Sequence, residues 1–332
     1  MAEDIDKYLR ESLAGPAAVT VAVVRGDDVV YAKGFGLTDR VQHVAAGVGT
    51  VYDIGSVSKQ FTAAAVMSLV DAGAVTVDDR IADHLDAPWS QEAADITLHH
   101  LLTHTSGLGD LGIGDYEPLT MADMIAGAAR ARLHSRPGTA HRYANLNYSL
   151  LAAVVVTVGG LGFEEYLAET LFAAAGMAET GWLLPTWDRL RVAQQYDASG
   201  RPQGRPNELP WAADGPHWAL RGNGGLLSTA PDMIAWHRAL RAGTVLSAES
   251  GRAMFTPHVP EDPHGEGHYG YGWAIWTDDG GRVAGHDGAN DWSYCSVIRG
   301  LDTDDMVFVA TSTGGPAFAD RDLATELRAR LR

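Results

Sequence analysis

The sequence predicts an α+β fold, with an antiparallel sheet lobe flanked by helices and a mainly helical lobe inserted into it. Three observations lead to this prediction. β-rich runs concentrate near both ends of the chain, helical periods dominate its middle, and 332 residues exceed the usual size of one compact domain. We therefore assign residues 1–80 and 216–332 to the sheet lobe, and residues 81–215 to the inserted helical lobe.

The first predicted elements are a surface helix and a hairpin. Apolar residues recur at helical spacing near the N-terminus, at Ile5, Leu9 and Leu13. Two β-rich runs follow, AAVTVAVV and VVYAKGF, and the polar segment 25–28 between them is typical of a tight turn. A third short strand is expected in VYDIG, directly before Ser56.

A buried helix is predicted directly after Ser56, because KQFTAAAVMSLVDAG is rich in helix formers and apolar on most sides. Further helices are expected in MADMIAGAARARL, LNYSLLAAVVVTVG and FEEYLAETLFAAAG. The segment 197–218 is too rich in proline, glycine and polar residues to pack as a regular element. We interpret it as a rim loop over the cleft.

Strands return in the last third of the chain. A helix is predicted first, in PDMIAWHRALRAG, with Thr229 at its cap. Four strand-like runs follow, YGYGWAIW, RVAGHDG, WSYCSVIRG and MVFVATST, and DRDLATELRARL should close the chain as a helix. These strands and the N-terminal hairpin would form one sheet built from both termini.

Composition excludes several classes of partner. The 42 acidic residues outnumber the 25 basic residues, and the net charge of −17 repels nucleic acid and anionic lipid. The single cysteine cannot form an intrachain disulfide, and no segment has the apolar length of a membrane span or a signal peptide. We expect a cytoplasmic protein that acts on a small molecule and needs no cofactor, and the sequence leaves its oligomeric state open.

The first chemical signal is a serine three residues before a lysine, Ser56-Val57-Ser58-Lys59. The chain has only three lysines, so this spacing is rarely expected by chance. Positions i and i+3 of a helix share a face, which lets the Lys59 amine reach the Ser56 hydroxyl. In a dry site Lys59 could lose its proton near neutral pH and act as the base that a serine nucleophile requires. The alternative is a solvated lysine at a helix end.

The second signal is Tyr143-Ala144-Asn145, the only Tyr-x-Asn in the chain. A tyrosine near Lys59 could relay a proton to the leaving group, and Asn145 could hydrogen-bond Lys59 or a substrate carbonyl. The alternative is a tyrosine packed at a helix start with an asparagine cap.

The third signal, His286-Asp287-Gly288, is weaker, because His268-Tyr269-Gly270 has the same pattern. Its context distinguishes it, since it lies between two strand-like runs on a strand that we predict near the sheet edge facing the cleft. The backbone N–H of Ala289 could then pair with that of Ser56 as an oxyanion hole.

Two further sets of residues allow both a binding and a packing interpretation. His100 and His104 have a metal-like i, i+4 spacing, but no third ligand is evident, so we predict a packed histidine pair and no metal site. Five tryptophans lie in segments predicted to border the cleft, where they could form an apolar pocket: Trp211, Trp218, Trp273, Trp276 and Trp292. For each one, core packing is the alternative.

In order, Ser-x-x-Lys, Tyr-x-Asn and His-x-Gly resemble the three motifs of the serine β-lactamase and penicillin-binding-protein-like superfamily, nearest its class C β-lactamase, family VIII esterase and D-aminopeptidase branch. Three further segments resemble it, LLTHTSGL at 101–108, YANLNYSLLA at 143–152 and GNGGLLSTAPDM at 222–233. The resemblance implies that Ser56 attacks an acyl carbon, that Lys59 and Tyr143 share the base and acid roles, and that Asn145 supports them.

The chain departs from the family at His286, which the resemblance places where β-lactamases have the lysine of Lys-Thr-Gly. A histidine beside Asp287 offers a weak or repulsive site for a lactam carboxylate. We therefore expect a serine hydrolase acting on a small carboxylic ester, with Asp287 as an alternative contact for a substrate amine. An amide or peptide hydrolase of the D-aminopeptidase or weak β-lactamase type, a transacylase, and an inactive binding or scaffold homologue remain alternatives.

Overall fold

The computed structural model describes residues 1–13, 15, 17–209, 211–262, 265–313 and 323–331. Its strands, numbered in chain order, are β1 Val19–Arg25, β2 Asp28–Phe35, β3 Leu37–Asp39, β4 Val44–Ala45, β5 Tyr52–Asp53, β6 Gln195–Tyr196, β7 Pro202–Gly204, β8 Leu227–Ser228, β9 Val259–Pro260, β10 His268–Tyr269, β11 Ala274–Asp278, β12 Gly281–Ala289, β13 Tyr294–Gly300 and β14 Asp305–Thr311.

The α-helices are α1 Ala2–Ser12, α2 Lys59–Asp71, α3 Ile81–His84, α4 Leu98–Leu102, α5 Met121–Arg130, α6 Asn145–Gly159, α7 Phe163–Tyr166, α8 Ala173–Ala175, α9 Ala230–Ala242, α10 Ala248–Met254 and α11 Leu323–Ala329. A π-helical stretch, Leu167–Phe172, joins α7 to α8. Short 3-10 turns cover Gly55–Ser58, Ala93–Asp95, Arg189–Arg191 and Pro206–Glu208. The start of the predicted last helix, 320–322, lies outside the described residues.

One antiparallel sheet of eight strands, in the order β2-β1-β14-β13-β12-β11-β10-β9, dominates the described structure. The N-terminal strand β1 pairs along its whole length with the C-terminal strand β14, from Val19↔Thr311 to Arg25↔Asp305. The predicted α+β fold, with a sheet assembled from both ends of the chain, is confirmed.

Both faces of this sheet are covered, as the alternation along β1 shows. Val21 and Val23 face α1 and α11 in one hydrophobic cluster, whereas Ala22 and Val24 belong to the larger cluster on the opposite face. The β1 sequence therefore consists almost entirely of apolar residues, because each side of the strand has its own core.

Helix α2 is the centre of the larger core, and all but a few of its residues are buried. It packs against α6, whose residues belong to the predicted inserted lobe, and both helices contribute to the same cluster. The core is thus continuous across the predicted lobe boundary at residues 80 and 81, and the division into two lobes stays a prediction.

Two expectations about regular elements were wrong. Segment 197–218 contains β7 and the 3-10 turn Pro206–Glu208, because Arg205 anchors it from a fully buried position, donating to the Val192 carbonyl and to Asp39 Oδ2 at 2.6 Å. The run YGYGWAIW forms two strands, since Gly272 (φ +77°) turns the chain against α2. A Cβ there would lie 2.9 Å from the Lys59 carbonyl oxygen.

Among the described residues, no helix by itself has the length and apolar composition needed to cross a membrane. Helix α6 and the helix at Phe163–Ala175 meet that requirement only as a pair, bent by 76° at the break between them.

Candidate active site

Ser56 lies in the 3-10 turn that leads into α2, where the chain passes very close to the end of β12. A Cβ on Gly288 would lie 2.0 Å from the Ile54 carbonyl oxygen and 2.6 Å from the Ser56 nitrogen. A Cβ on Gly55, whose φ is +49°, would lie 2.8 Å from the Ala289 nitrogen. Glycine at both positions therefore brings the Ser56 and Ala289 amides close together, as the predicted oxyanion hole requires.

Lys59 is completely buried, one turn after Ser56. Its Nζ lies 2.9 Å from Ser56 Oγ, 2.8 Å from Asn145 Oδ1 and 2.7 Å from the Asn223 carbonyl oxygen. Burial lowers the pKa of Lys59 to about 7, although the negative charges of Asp110 and Asp115 act in the opposite direction.

These three contacts decide what the neutral amine of Lys59 can do. Asn145 Oδ1 and the Asn223 carbonyl can only accept hydrogen bonds, so they hold the two N–H groups of a neutral amine. The remaining lone pair then faces Ser56, where it can accept the hydroxyl proton. Asn145 supports Lys59 in this arrangement, and it is not the helix cap, since Ala144 occupies the N-cap position of α6.

Tyr143 lies on the open side of this group, with 42% of its surface exposed. Its ring centroid is 4.8 Å from Lys59 Nζ, and its hydroxyl interacts with the Ser56 side chain. Desolvation of the hydroxyl raises the pKa of Tyr143 above its usual value, and the interaction with Ser56 offsets only part of that effect. Tyr143 is therefore a protonated phenol at neutral pH, able to donate a proton.

His286 belongs to an inner strand of the sheet, so the prediction of a strand near the sheet edge was wrong. The short strands β11, β10 and β9 lie beyond β12. Most of β11 and part of β10 fall in the run YGYGWAIW that was predicted as a strand, whereas β9 was not predicted. However, β11 pairs with β12 only from Gly281 to Gly285. The last four residues of β12, 286–289, lie beyond that pairing, on the side where His286 lines a cavity with Ser56 and Tyr143.

Both ring nitrogens of His286 are occupied by the protein. Nδ1 donates to the Asp287 carbonyl at 2.6 Å, and Nε2 accepts from the Tyr269 hydroxyl at 2.9 Å. Burial, assisted by the nearby charge of Lys59, lowers the pKa of His286 to about 4. The imidazole is therefore neutral above pH 5 and offers no positive charge to a substrate.

Two cavities, one of them lined by Ser56, contain most of the other predicted site residues. A cavity of ≈ 350 Å³ is lined by Ser56, Tyr143 and His286, together with Asp287 and Trp276. A second cavity, of ≈ 180 Å³, is lined by Asn145 and Trp218.

The other tryptophans have different positions. Trp211 is half-buried against the main core and lines neither cavity, and Trp273 is fully buried in that core. Trp292 stacks on Tyr116 with 6.2 Å between ring centroids. Within the part of the chain that the structure describes, no group of three or more histidine, cysteine or carboxylate side chains is arranged to hold a metal ion.

Three residues of this site, Asn223, Tyr269 and His104, had no role predicted from the sequence. Asn223 contacts Lys59 through its backbone carbonyl, and Tyr269 contacts His286 through its hydroxyl. No spacing rule in the sequence indicates either contact. His104 is buried with a φ of +56°, and its Nδ1 accepts from the Ala144 N–H at 3.3 Å and from Asn147 Nδ2 at 3.0 Å. Its ring lies 4.3 Å from that of Tyr143, so it fixes the segment that carries this tyrosine.

The predicted histidine pair was wrong. His100 Nδ1 accepts from the Thr97 N–H at the start of α4, whereas His104 contacts the start of α6. An i, i+4 spacing would place both side chains on one face of a helix. The positive φ of His104 reverses the backbone there, so the two side chains contact different helices.

The family model described as Beta-lactamase matches residues 5–331. The chain belongs to this family. The resemblance inferred from the three motifs is thereby confirmed, and the coarse prediction of a serine hydrolase agrees with the family.

Two proteins similar to this chain are named as penicillin-binding proteins. The chain is 31% identical over 257 residues to the putative penicillin-binding protein PbpX of Bacillus subtilis, and this alignment covers 77% of the chain and 62% of PbpX. It is 30% identical to penicillin-binding protein 4 of Amycolatopsis lactamdurans, over 94% of the chain and 86% of that protein.

The fold is similar to that of an octameric penicillin-binding protein homologue from Pyrococcus abyssi. The TM-score is 0.85 at 26% identity, with 99% of the chain and 77% of the homologue covered. The Beta-lactamase family fold therefore extends over nearly the whole chain, whereas the chain spans less than two thirds of the length of PbpX.

Proposed function

We propose that the protein hydrolyses small carboxylic esters through an acyl-enzyme on Ser56. One observation supports this most strongly: the buried Lys59 amine has two acceptors for its N–H groups and a lone pair directed at Ser56 Oγ, 2.9 Å away. A base of this kind converts a serine hydroxyl into a nucleophile at neutral pH.

In the acylation step, Ser56 Oγ attacks the ester carbonyl carbon while its proton passes to Lys59. The negative charge that develops on the carbonyl oxygen is stabilised by the N–H groups of Ser56 and Ala289. The carbon–oxygen bond of the ester then breaks, and Tyr143 donates its proton to the departing alkoxide. Lys59 returns the proton that it took from Ser56 to the Tyr143 oxygen, which restores both groups for the second step.

In the deacylation step, a water molecule takes the place of the alcohol beside Tyr143. Tyr143 and Lys59 together accept a proton from this water as its oxygen attacks the acyl carbon. Release of the carboxylic acid returns the proton to Ser56. The same residues would serve an amide hydrolase or a transacylase, which differ in the leaving group or in the nucleophile of this second step.

The surroundings of His286 favour substrates without a carboxylate at this position. His286 is neutral at physiological pH, and its ring nitrogens are bound to Tyr269 and to the Asp287 carbonyl. The side chains of Asp287 and Glu261 also line the cavity. A lactam carboxylate would meet negative charge there, and for this reason we favour esters over β-lactams as substrates.

The test is the intact mass of wild type and Ser56→Ala after treatment with a fluorophosphonate probe, together with turnover of p-nitrophenyl butyrate. We expect one adduct and turnover in wild type, and neither in the variant. Ser199→Ala, which changes an exposed serine bonded to Asp197, is the control and should behave as wild type. A wild type that shows neither adduct nor turnover would favour the inactive binding homologue.

The pH dependence gives a further prediction. Lys59 must be neutral to accept the proton from Ser56, so kcat/KM for p-nitrophenyl butyrate should rise with pH, with a midpoint near 7. Asp53, which bonds the Gly55 N–H, has a pKa raised to about 6 by burial and could produce a similar profile.

Temperature distinguishes these two groups. The enthalpy of ionisation is large for an amine, whereas the enthalpy of ionisation of a carboxyl group is close to zero. If the midpoint of the pH profile falls on warming from 15 to 35 °C, the titrating group is Lys59. A midpoint that does not move would contradict the assignment of the profile to Lys59.

A further inference from the structure

The two amides of the proposed oxyanion hole belong to segments that are far apart in the chain. Ser56 lies shortly after β5, whereas Ala289 is the last residue of β12. Within the described residues, no backbone–backbone hydrogen bond joins segment 54–57 to segment 286–290. A side-chain contact is therefore the candidate for fixing the distance between the two amides.

The carboxylate of Asp53 makes such a contact. Its Oδ1 accepts from the Gly55 N–H at 2.8 Å, directly before Ser56 in the chain. Its Oδ2 accepts from Asn290 Nδ2 at 2.9 Å, directly after Ala289. One rigid carboxylate thus holds the residue next to each amide of the hole.

The backbone around Asn290 fixes the orientation of its side chain. Asn290 Oδ1 accepts from the N–H groups of Trp292 and Ser293, both at 2.8 Å. These contacts leave Nδ2 to face Asp53, and Nδ2 is the donor that a carboxylate requires. Asn290 therefore connects Asp53 to the turn between β12 and β13.

Asp53 is buried without a cation. Only 5% of its surface is exposed, and it forms no ion pair within the part of the chain that the structure describes. Burial raises the pKa of Asp53 to about 6, and the hydrogen bonds from Gly55 and Asn290 oppose this effect. The group is therefore an ionised acceptor at pH 8. A buried carboxylate without an opposite charge destabilises the fold, and an asparagine of similar volume would avoid that loss. The two donors that need acceptor oxygens at this point give the charge a role.

We propose that Asp53 is a positioning residue that acts together with Asn290. The pair holds the Ser56 and Ala289 amides at the separation that stabilises the oxyanion, and neither side chain touches the reacting atoms. The proposal rests on the proposed function of Ser56 and adds two residues to the support of its oxyanion hole.

Single substitutions break the contact between residues 53 and 290 in two different ways. In Asp53→Asn the new amide can still accept from the Gly55 N–H, but its NH2 group would face Asn290 Nδ2, donor against donor. In Asn290→Asp two carboxylates would face each other. We expect each variant to lower kcat/KM for p-nitrophenyl butyrate at pH 8 by about 10- to 100-fold, part of the effect of losing a whole oxyanion-hole donor.

Exchange of the two side chains should restore the contact. In Asp53→Asn/Asn290→Asp the amide at position 53 accepts from the Gly55 N–H and donates to the new carboxylate. That carboxylate still accepts from Trp292 and Ser293, so all four hydrogen bonds and the total charge are kept. We expect kcat/KM within about threefold of wild type, the strong coupling of two residues in one hydrogen-bond network.

Asp305→Asn is the matched control. Asp305 is 7% exposed and pairs with Arg328, at the end of β14 opposite to Thr311. Thr311 pairs with Tyr294, which in turn pairs with Ala289, so Asp305 lies at the far end of the sheet from the oxyanion hole. This variant should lose stability without a change in kcat/KM, and thermal unfolding checks that every variant folds.

Two kinetic outcomes would overturn the proposal. One is a kcat/KM of both single variants equal to that of Asp305→Asn. The other is a folded exchange variant that recovers no activity relative to the single variants. If the exchange variant does not fold, the comparison of the single variants with Asp305→Asn decides.

Amide hydrogen exchange tests the contact without using turnover. Peptides that cover residues 54–58 and 286–293 should exchange faster in both single variants than in wild type, and at the wild-type rate in the exchange variant and in Asp305→Asn. If wild type shows neither a fluorophosphonate adduct nor turnover but this exchange pattern is present, only the proposed hydrolysis is contradicted. An active wild type whose single variants match Asp305→Asn in exchange and in kcat/KM would contradict only the positioning role.

Discussion

Lys59→Met and Lys59→Arg should both lower kcat/KM for p-nitrophenyl butyrate by about 10²- to 10⁴-fold, the usual contribution of a positioned general base. Methionine fills a similar volume without a basic nitrogen. Arginine keeps a positive charge but is not deprotonated in proteins, so it cannot accept the Ser56 proton. The two variants thus distinguish a lysine that acts as a base from one that acts only through its charge.

Loss of the Lys59 amine also affects stability. In Lys59→Met the Asn145 Oδ1 and the Asn223 carbonyl each lose a donor, which should cost about 1–3 kcal/mol of unfolding free energy for each group left unpaired. Denaturant unfolding measures this cost, and activities are compared under conditions where each variant is folded.

Lys33→Met is the control for these variants, because Lys33 pairs with Asp6 away from Ser56 and should leave kcat/KM unchanged. If kcat/KM of the Lys59→Arg variant lies within tenfold of the wild-type value, the role of Lys59 as a general base is contradicted.

Gly288→Ala should reduce kcat/KM by about 10²- to 10³-fold, comparable to the loss of an oxyanion-hole donor. The new methyl group would lie 2.0 Å from the Ile54 carbonyl oxygen and 2.6 Å from the Ser56 nitrogen, so backbone on one side must move. Because this backbone carries the Ser56 amide, the shift should separate it from the Ala289 amide. We also expect a loss of about 1–3 kcal/mol in unfolding free energy from the overpacking.

Gly251→Ala is the matched control. Gly251 lies in α10, and apart from its chain neighbours and the backbone of its own helix, no atom lies within 4 Å of the position that the alanine methyl group would take. Alanine there should stabilise the protein by about 0.4–1 kcal/mol without affecting turnover. Kinetics and denaturant unfolding of both variants provide the comparison. A Gly288→Ala variant with activity within twofold of wild type would contradict the close approach of β12 to Ser56.

Local patterns were sufficient to predict most elements of the fold. The β1 and β2 hairpin, the buried helix α2 and the helices α5, α6 and α9 all occur where periodicity and turn residues placed them. These signals are local, since the residues that decide a strand, a helix or a cap lie within a few positions of one another. The Ser56–Lys59 contact was predictable for the same reason, because three positions of one helical turn separate the two residues.

Contacts between distant segments were not predictable in this way. Arg205 orders a segment whose composition indicated a loop, and three short strands place β12 inside the sheet. The Arg205 contact has no sequence pattern, because its partner Asp39 lies 166 positions away in the chain. The order of strands within a sheet is likewise not contained in the periodicity of any one strand.

The sequence by itself determined the order of the elements, the antiparallel sheet built from both termini, and the identity of Ser56, Lys59, Tyr143 and Asn145 as candidates. The tertiary structure alone decided what surrounds them. It placed the Asn223 carbonyl on Lys59, the Tyr269 hydroxyl on His286, and Asp110 and Asp115 in the cavity that Asn145 lines. The physical reason is that burial and electrostatic environment depend on which surfaces meet when the chain folds, and helical and strand periodicity carry no information about that.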